Sequence, residues 1–134
     1  MTDDILLNKA AAIERCVKRI RDEYKKDFIT NYTIQDSVIL NLQRACETSI
    51  DAALHLIQIR GLGLPQSSRE AFVLLEEANI ISKALGKKLQ SMVGLRNIAI
   101  HEYTRLDMDI VITVIEKHLI DFLDFAKILV KLAL

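Results

Sequence analysis

The segment LRNIAIHEYTR, residues 95–105, contains the side chains of this chain that are best suited to chemistry. A guanidinium such as that of Arg96 can hold an anion, and an imidazole such as that of His101 can exchange a proton near neutral pH. Asn97 and Tyr103 accompany them among leucine, isoleucine and alanine. Because a charge removed from water is costly unless it is paired, we expect Arg96 to lie beside a partner, an anion or a solvent-filled cleft.

The spacing of these residues decides which of them can meet on a helix. Arg96 and Tyr103 are seven residues apart and nearly eclipsed, whereas Asn97 and His101 are four apart and adjacent. Arg96 and His101 are separated by roughly 140° around a straight helix. They converge only if the helix ends or bends near His101, or if a second copy of the chain supplies its own pair across an interface.

The first half of the chain predicts two helices. The first is indicated by apolar residues at alternating steps of four and three: Leu6, Ala10, Ile13, Val17, Ile20 and Tyr24. Thr33, followed by Asp36, offers a side-chain cap and an acidic first turn for a second helix that runs to about Arg60. Its apolar face comprises Val38, Leu42, Ala45, Ser49, Ala52, Leu56 and Ile59. The glycines and proline of GLGLP, residues 61–65, end this helix.

A short helix and the helix of the polar segment follow. Ser67 and Glu70 match a capping box that opens a short helix within SSREAFVLLEEANII. Ser82 can begin the next helix, which carries residues 95–105. Its packing face can be traced through Leu85, Leu89, Met92, Arg96, Ala99 and Tyr103. An equally good tracing takes Leu95 in place of Arg96 and leaves the arginine at the edge of the interface.

A last helix completes the predicted fold. Asp107 can cap it. Its apolar face comprises Met108, Ile112, Ile115, Leu119, Phe122, Ala126 and Leu129, widened by Phe125, Ile128 and Leu132. Long amphipathic helices with short connections predict an all-α fold, an up-and-down four-helix bundle with an additional short helix. The broad apolar faces would be covered more completely by a second copy of the chain, so we expect a homodimer.

The composition agrees with one helical domain. The 134 residues are 51% hydrophobic and include four glycines and one proline, which favours helix and suits a single domain over residues 1–134. Eighteen basic and eighteen acidic residues give no net charge, so no global field draws the protein to nucleic acid or to an anionic membrane. A polyanion would need a local basic site, for which Arg105, the last residue of the segment 95–105, is the best candidate. Two further basic groups could guide phosphates, but the acidic residues among them make ordinary solvated faces the better interpretation: Lys83, Lys87 and Lys88, and the end of the first helix at Lys18, Arg19, Arg21, Lys25 and Lys26.

The cysteines and the chain ends suggest a cytoplasmic protein. Cys16 and Cys46 fall within apolar helical patterns and are expected to be reduced thiols. The sequence MTDDILLNK begins acidic and lacks the hydrophobic core of a secretion signal, and charged residues interrupt the apolar C-terminal segment. We therefore expect neither end to be secretory or membrane-spanning.

Glu47, Asp51 and His55 recur at every fourth residue, a spacing that could place three metal ligands on one helix face. A stable site needs more ligands and supporting hydrogen bonds, so an ordinary solvated face is the better interpretation. HEYTR, residues 101–105, begins like a zinc-protease helix but lacks the second histidine. No metal or cofactor is expected.

The motif as a whole is more specific than its parts. RNIAIHEY, residues 96–103, has an arginine, a polar residue, three more residues and then His-x-Tyr, and it resembles the R-x-x-x-x-H motif of the HEPN ribonuclease superfamily. The tyrosine makes it similar to the HepT toxins of HEPN/MNT toxin–antitoxin modules, of a type VII-like kind. Chain length, helical order and the position of the motif before the final helix agree. The resemblance implies a metal-independent, dimeric endoribonuclease, with Arg96 and His101 of both chains lining one cleft.

The resemblance also implies a role for each motif residue in cleaving RNA, tRNA among the candidate targets. His101 would act as base or acid when a ribose 2′-hydroxyl attacks the adjacent phosphate, and Arg96 would stabilise the charge on phosphorus. Asn97 would support them by hydrogen bonds. Tyr103 matches the tyrosine to which a nucleotidyltransferase antitoxin of the MNT type transfers AMP. The added anion would block the RNA phosphate and compete for Arg96.

Simpler interpretations exist for each residue taken alone. Arg96 and His101 could pair at a helix end with Glu102 or a backbone carbonyl, and Tyr103 could be an aromatic at the edge of the core. The alternative function is a catalytically inactive helical module that binds RNA, nucleotide or a protein partner.

Overall fold

The computed structural model describes residues 2–25, 27–101 and 107–134, and the side chains of Ile100 and His101 are outside that description. The helices are α1 (Asp4–Glu23), α2 (Tyr32–Arg60), α3 (Ser68–Glu77), α4 (Lys83–His101), α5 (Met108–Lys117) and α6 (Leu119–Ala133). No strand occurs within the described ranges, so the all-α prediction is confirmed. None of the described helices combines the length and apolar character that crossing a bilayer requires.

The long helices form the predicted bundle around one apolar core. α1 packs against α2 and α6, while α4 contacts α2, α3 and α6. Phe72 of α3 meets Phe125 of α6 edge to face, with ring centroids 5.9 Å apart. The short α3 therefore closes one side of the bundle, as the additional helix of the predicted fold.

The first turn of α2 begins earlier than predicted. Asn31, not Thr33, is the cap: its Oδ1 accepts a hydrogen bond from the Ile34 N–H at 3.1 Å. Gln35 Nε2 donates to the carbonyl oxygens of Phe28 and Ile29, each at 2.8 Å, and so fixes the preceding turn against the helix. The prediction of a Thr33 cap was wrong because this turn presents Asn31 to the helix N-terminus, and asparagine caps at least as well as threonine.

Replacing Asn31 by alanine is expected to lower the free energy of unfolding by about 1 kcal/mol, because the Ile34 N–H loses its acceptor. Thr33→Ala is the matched control, two residues away inside the first turn, and is expected to change stability by less than about 0.5 kcal/mol. Urea denaturation followed by circular dichroism measures both. A larger loss for Thr33→Ala than for Asn31→Ala would contradict the observed cap.

The C-terminal end of α2 confirms the predicted glycine cap but not the predicted burial of the last apolar residue. Gly61 ends the helix in the left-handed conformation, with φ 60° and ψ 46°, as the glycine signal predicted. Ile57 is buried there but Ile59 is 53% exposed, so the predicted burial of Ile59 was wrong. A seven-residue spacing falls behind a straight helix by about 20° per repeat, and three repeats after Val38 it has reached the edge of the buried face.

The predicted last helix is divided at His118. This residue ends α5 and precedes α6, with φ −122° and ψ 0°, so the prediction of one continuous helix was wrong. Asp121, only 2% exposed, accepts a hydrogen bond from His118 Nδ1 at 3.0 Å, and its other oxygen lies 3.6 Å from Lys88 Nζ. The break thus coincides with a buried carboxylate that binds His118 in the same turn and Lys88 of α4, and apolar periodicity alone does not reveal it.

Candidate functional site

Arg96 lies on the side of α4 that faces α2 and α3. Its Nη1 donates to Glu47 Oε1 at 2.7 Å, and its Nη2 donates to Ser68 Oγ at 3.4 Å. The arginine side chain is 17% exposed, and the neighbouring Leu95 belongs to the core. The tracing through Leu95 is therefore the observed one, with Arg96 at the edge of the interface. The partner that the charge of Arg96 requires is Glu47.

The surroundings of Arg96 are mostly apolar. Its Nε is buried and has no hydrogen-bond acceptor among the described residues. A small cavity lined by Arg96, Cys46 and mainly apolar side chains lies between α2 and α4. Burial raises the pKa of the Cys46 thiol to about 12, against the lowering effect of Arg96, so this sulfur is uncharged and donates weakly to the Met92 carbonyl. Among the described residues, Glu47 is thus the anion that neutralises Arg96.

Two glycines on α4 allow side chains of α3 to lie close to the helix that carries Arg96. A Cβ at Gly94 would lie 2.6 Å from Arg69 Nη2, and a Cβ at Gly86 would overlap the Glu76 side chain. Side chains of α3 therefore lie directly across the backbone of α4 at both glycines. Ser67 caps α3 by accepting from the Glu70 N–H at 3.1 Å, as predicted, which fixes the turn that presents the neighbouring Ser68 to Arg96.

The acidic face of α2 is used for pairing with three different parts of the chain. Glu47 pairs with Arg96, Asp51 lies 3.6 Å from Lys9 Nζ, and His55 Nε2 is 2.8 Å from Asp3 Oδ2. The hydrogen bond from His55 lowers the pKa of the Asp3 carboxyl. The three side chains considered as metal ligands therefore have separate partners, and no group of three such ligands converges within the described residues.

The remaining predicted site residues lie on or beyond the end of α4. Asn97 is exposed on α4. His101 is the last residue of that helix, so the step from Arg96 retains the separation of roughly 140° expected on a regular helix. The side chain of His101, and all of Glu102, Tyr103 and Arg105, lie outside the described residues. Any contact of these residues with Arg96 thus stays a prediction.

The lysines of α4 do not share one environment. Lys83, Lys87 and Lys88 are all exposed, but Lys88 Nζ also lies 3.6 Å from the buried carboxylate of Asp121. A groove of about 410 Å³ opens beside this pair and is lined by Lys88, Met92, Leu95, Ile110, Val114 and His118, among others. Neither Glu47 as the partner of Arg96 nor Asp121 as a buried charge was predicted from the sequence. The every-fourth-residue pattern of Glu47, Asp51 and His55 was the only sequence signal for the role of Glu47, and no signal indicated that Asp121 is buried.

The similarity of this chain to known proteins extends over most of its length. The pattern of the family described as ribonuclease HepT-like matches residues 10–129. An mRNA nuclease HepT from Shewanella oneidensis is 50% identical over 129 residues, which are 95% of this chain and 97% of the relative. The solved structure of a tri-AMPylated HEPN toxin from the same organism, in complex with an MNT antitoxin, superposes with a TM-score of 0.91. It is 50% identical and the match covers 94% of this chain and 96% of that one. A crystal structure of a toxin–antitoxin with AMP-PNP gives a TM-score of 0.91 at 49% identity, covering 95% and 98% of the two chains.

Proposed function

Because this chain belongs to the HepT-like ribonuclease family, we propose that it is the toxin of a HEPN/MNT toxin–antitoxin pair and cleaves RNA without a metal ion. The observation that carries the proposal is the placement of Arg96, a mostly covered guanidinium in the RNIAIHEY motif at the end of α4. We propose that the whole chain acts as one cytoplasmic HEPN-like unit. The relative that is an mRNA nuclease makes mRNA the first substrate class to test, with tRNA beside it.

The proposed reaction is transfer of a phosphoryl group within the RNA. The 2′-hydroxyl loses its proton to a base and attacks the adjacent phosphorus, the bond to the 5′-oxygen breaks, and that oxygen takes a proton from an acid. The products are a 2′,3′-cyclic phosphate and a free 5′-hydroxyl. His101 serves as base or acid, Arg96 stabilises the charge on the phosphate oxygens, and Asn97 orients these groups. DNA lacks the attacking hydroxyl and is not a substrate.

A homodimer supplies the second half of this site. On a regular α4, Arg96 and His101 of one chain lie on directions roughly 140° apart. A second copy provides an arginine and a histidine on the opposite wall of a shared cleft, with one imidazole for each proton transfer. Arg105 is proposed as an additional contact to RNA.

Control of the site is proposed to act through Tyr103. An MNT nucleotidyltransferase transfers AMP from ATP to the tyrosine hydroxyl, with release of pyrophosphate, two residues after His101. The attached phosphate places an anion where the RNA phosphate binds, and its bulk closes the cleft. The AMPylated toxin bound to its antitoxin, solved for the Shewanella oneidensis relative, supports this proposal.

Removal of divalent metal tests the chemistry. Cleavage of a single-stranded RNA by the purified protein in excess EDTA is expected to stay within about twofold of the rate in magnesium, because the side chains supply the acid, the base and the positive charge. Mass spectrometry of the products is expected to find the 2′,3′-cyclic phosphate or the phosphate formed by its hydrolysis. Loss of cleavage in EDTA that added magnesium restores, or products that carry a 5′-phosphate, would contradict the mechanism.

A further inference from the structure

Arg96 already holds an anion before any RNA binds, and the proposed function requires the same guanidinium to hold a phosphate. We infer that Glu47 competes with the RNA phosphate for Arg96. Its carboxylate holds the guanidinium against α2 in the free protein, and the phosphate displaces it on binding. This inference rests on the proposed ribonuclease function and adds a residue that sets the affinity for RNA.

The geometry of the Glu47–Arg96 pair would allow a phosphate to replace the carboxylate. Glu47 uses one oxygen on one nitrogen, Nη1 of Arg96, at 2.7 Å. The second contact, from Nη2 to Ser68 Oγ, is long at 3.4 Å, and Nε is buried without an acceptor. Arginine binds phosphates best through two parallel N–H donors, so the present pairing leaves part of its donor capacity unused. A phosphate that accepts two hydrogen bonds from Arg96 therefore binds the guanidinium more strongly than Glu47, which accepts one.

A second carboxylate in the same protein shows what a purely structural pairing looks like. Asp121 is 2% exposed and has a cation or an imidazole at each oxygen, Lys88 at 3.6 Å and His118 at 3.0 Å. The Glu47 side chain is instead 45% exposed, so water can solvate it when Arg96 moves away. Displacing Glu47 is therefore far less costly than displacing Asp121.

Two anions cannot share one guanidinium without repelling each other. If the Glu47 carboxylate stays in place, it opposes the approach of the phosphate, and if it leaves, the paired state of Arg96 is lost. In both cases the carboxylate weakens RNA binding. Glu47→Gln keeps the size and a hydrogen-bond acceptor but removes the charge, so it should strengthen binding and leave the chemical step unchanged.

The experiment compares Glu47→Gln with Asp51→Asn. The control lies one turn further along α2, loses the same charge, and breaks a partly exposed pair with Lys9 of α1 in which Arg96 takes no part. Binding is measured by fluorescence anisotropy with a 2′-O-methyl oligoribonucleotide, which lacks the attacking hydroxyl and is not cleaved, and kcat and KM are measured with the unmodified RNA. Glu47→Gln is expected to bind about three- to tenfold tighter with a matching fall in KM and kcat within about twofold, whereas Asp51→Asn changes each by less than about twofold.

Two results would overturn the inference. Glu47→Gln that binds RNA no tighter than Asp51→Asn excludes competition, and a fall in kcat shows that Glu47 positions Arg96 for the reaction. If Glu47→Gln fails to fold, as judged by circular dichroism, Glu47→Asp takes its place, because the shorter side chain withdraws the carboxylate and should tighten binding to a smaller extent. Wild-type protein that does not cleave RNA rejects the proposed function. Wild-type cleavage that depends on Arg96, without tighter binding by the Glu47 variant, rejects this inference alone.

Discussion

Replacing Arg96 by alanine is expected to reduce the rate of RNA cleavage by about a hundred- to a thousandfold, because the transition-state charge on phosphorus loses its stabilising cation. His101→Ala is expected to reduce it by about a hundred- to ten thousandfold through loss of the proton-transfer group. The measurement is a single-turnover assay with saturating protein, which isolates the chemical step from RNA binding. Folded variants that cleave at the wild-type rate would reject the proposed site.

The environment of Arg96 determines the controls. Alanine at this position leaves Glu47 without its cation, so the thermal stability of the variant must be measured beside its activity. Arg96→Lys keeps a positive charge but loses the planar fork, and it is expected to recover only part of the lost rate. Equal activity of lysine and arginine would show that Arg96 supplies charge alone.

Mixed dimers test whether both chains contribute to one cleft. Co-refolded Arg96→Ala and His101→Ala chains place one intact arginine and one intact histidine in each mixed dimer. Such dimers are expected to cleave faster than either variant alone. No gain over the separate variants would contradict a shared cleft.

The fold could be predicted where local signals decide it. Ser67 caps α3, the Ser82 hydroxyl accepts from the Leu85 N–H at 3.1 Å, and Asp107 accepts from the Asp109 N–H at 2.9 Å, all at predicted helix starts. Gly61 ends α2 as predicted. Each of these signals acts within one turn of helix, so the sequence near the boundary contains the necessary information.

The errors occurred where contacts outside the apolar pattern of a single helix accompany the local structure. At the break, His118 binds the buried carboxylate of Asp121, which also lies beside Lys88 of α4. The cap at Asn31 is accompanied by Gln35, which reaches back to the turn before the helix. Periodicity describes one helix at a time and contains no record of such contacts.

The same limit applies to the candidate site. The cost of a buried charge predicted that Arg96 needs a partner, but Glu47 is 49 residues away and meets it only because α2 and α4 pack in a particular register. The roles of His101, Asn97 and Tyr103 came from the resemblance of the motif to a family, the role of Arg105 came from its basic side chain near the motif, and all four stay predictions. The cost of burying a charge thus predicts that Arg96 has a partner, and the packing of α2 against α4 determines that this partner is Glu47.

Replacing Tyr103 by phenylalanine is expected to make RNA cleavage insensitive to an active MNT nucleotidyltransferase and ATP. The wild-type protein should lose activity by about tenfold or more after this treatment, since the added phosphate occupies the anion site and competes for Arg96. The variant lacks only the hydroxyl that accepts AMP, so its own cleavage should be retained. Intact mass spectrometry is expected to show added AMP on the wild-type chain and none on the variant.

Tyr32 provides the matched control for this experiment, because it is a 75% exposed tyrosine at the start of α2 and offers its hydroxyl freely to any unselective transferase. Tyr32→Phe should be modified and inhibited like wild type. Omitting ATP separates modification from simple binding, since an antitoxin that inhibits by covering the cleft would do so without ATP. Addition of AMP to Tyr103→Phe would contradict control through Tyr103. So would ATP-dependent inhibition that is equal for the wild type and for Tyr103→Phe. The comparison of wild type with Tyr103→Phe, and of reactions with and without ATP, shows whether inhibition is due to AMP attached to Tyr103 or to the bound antitoxin covering the cleft.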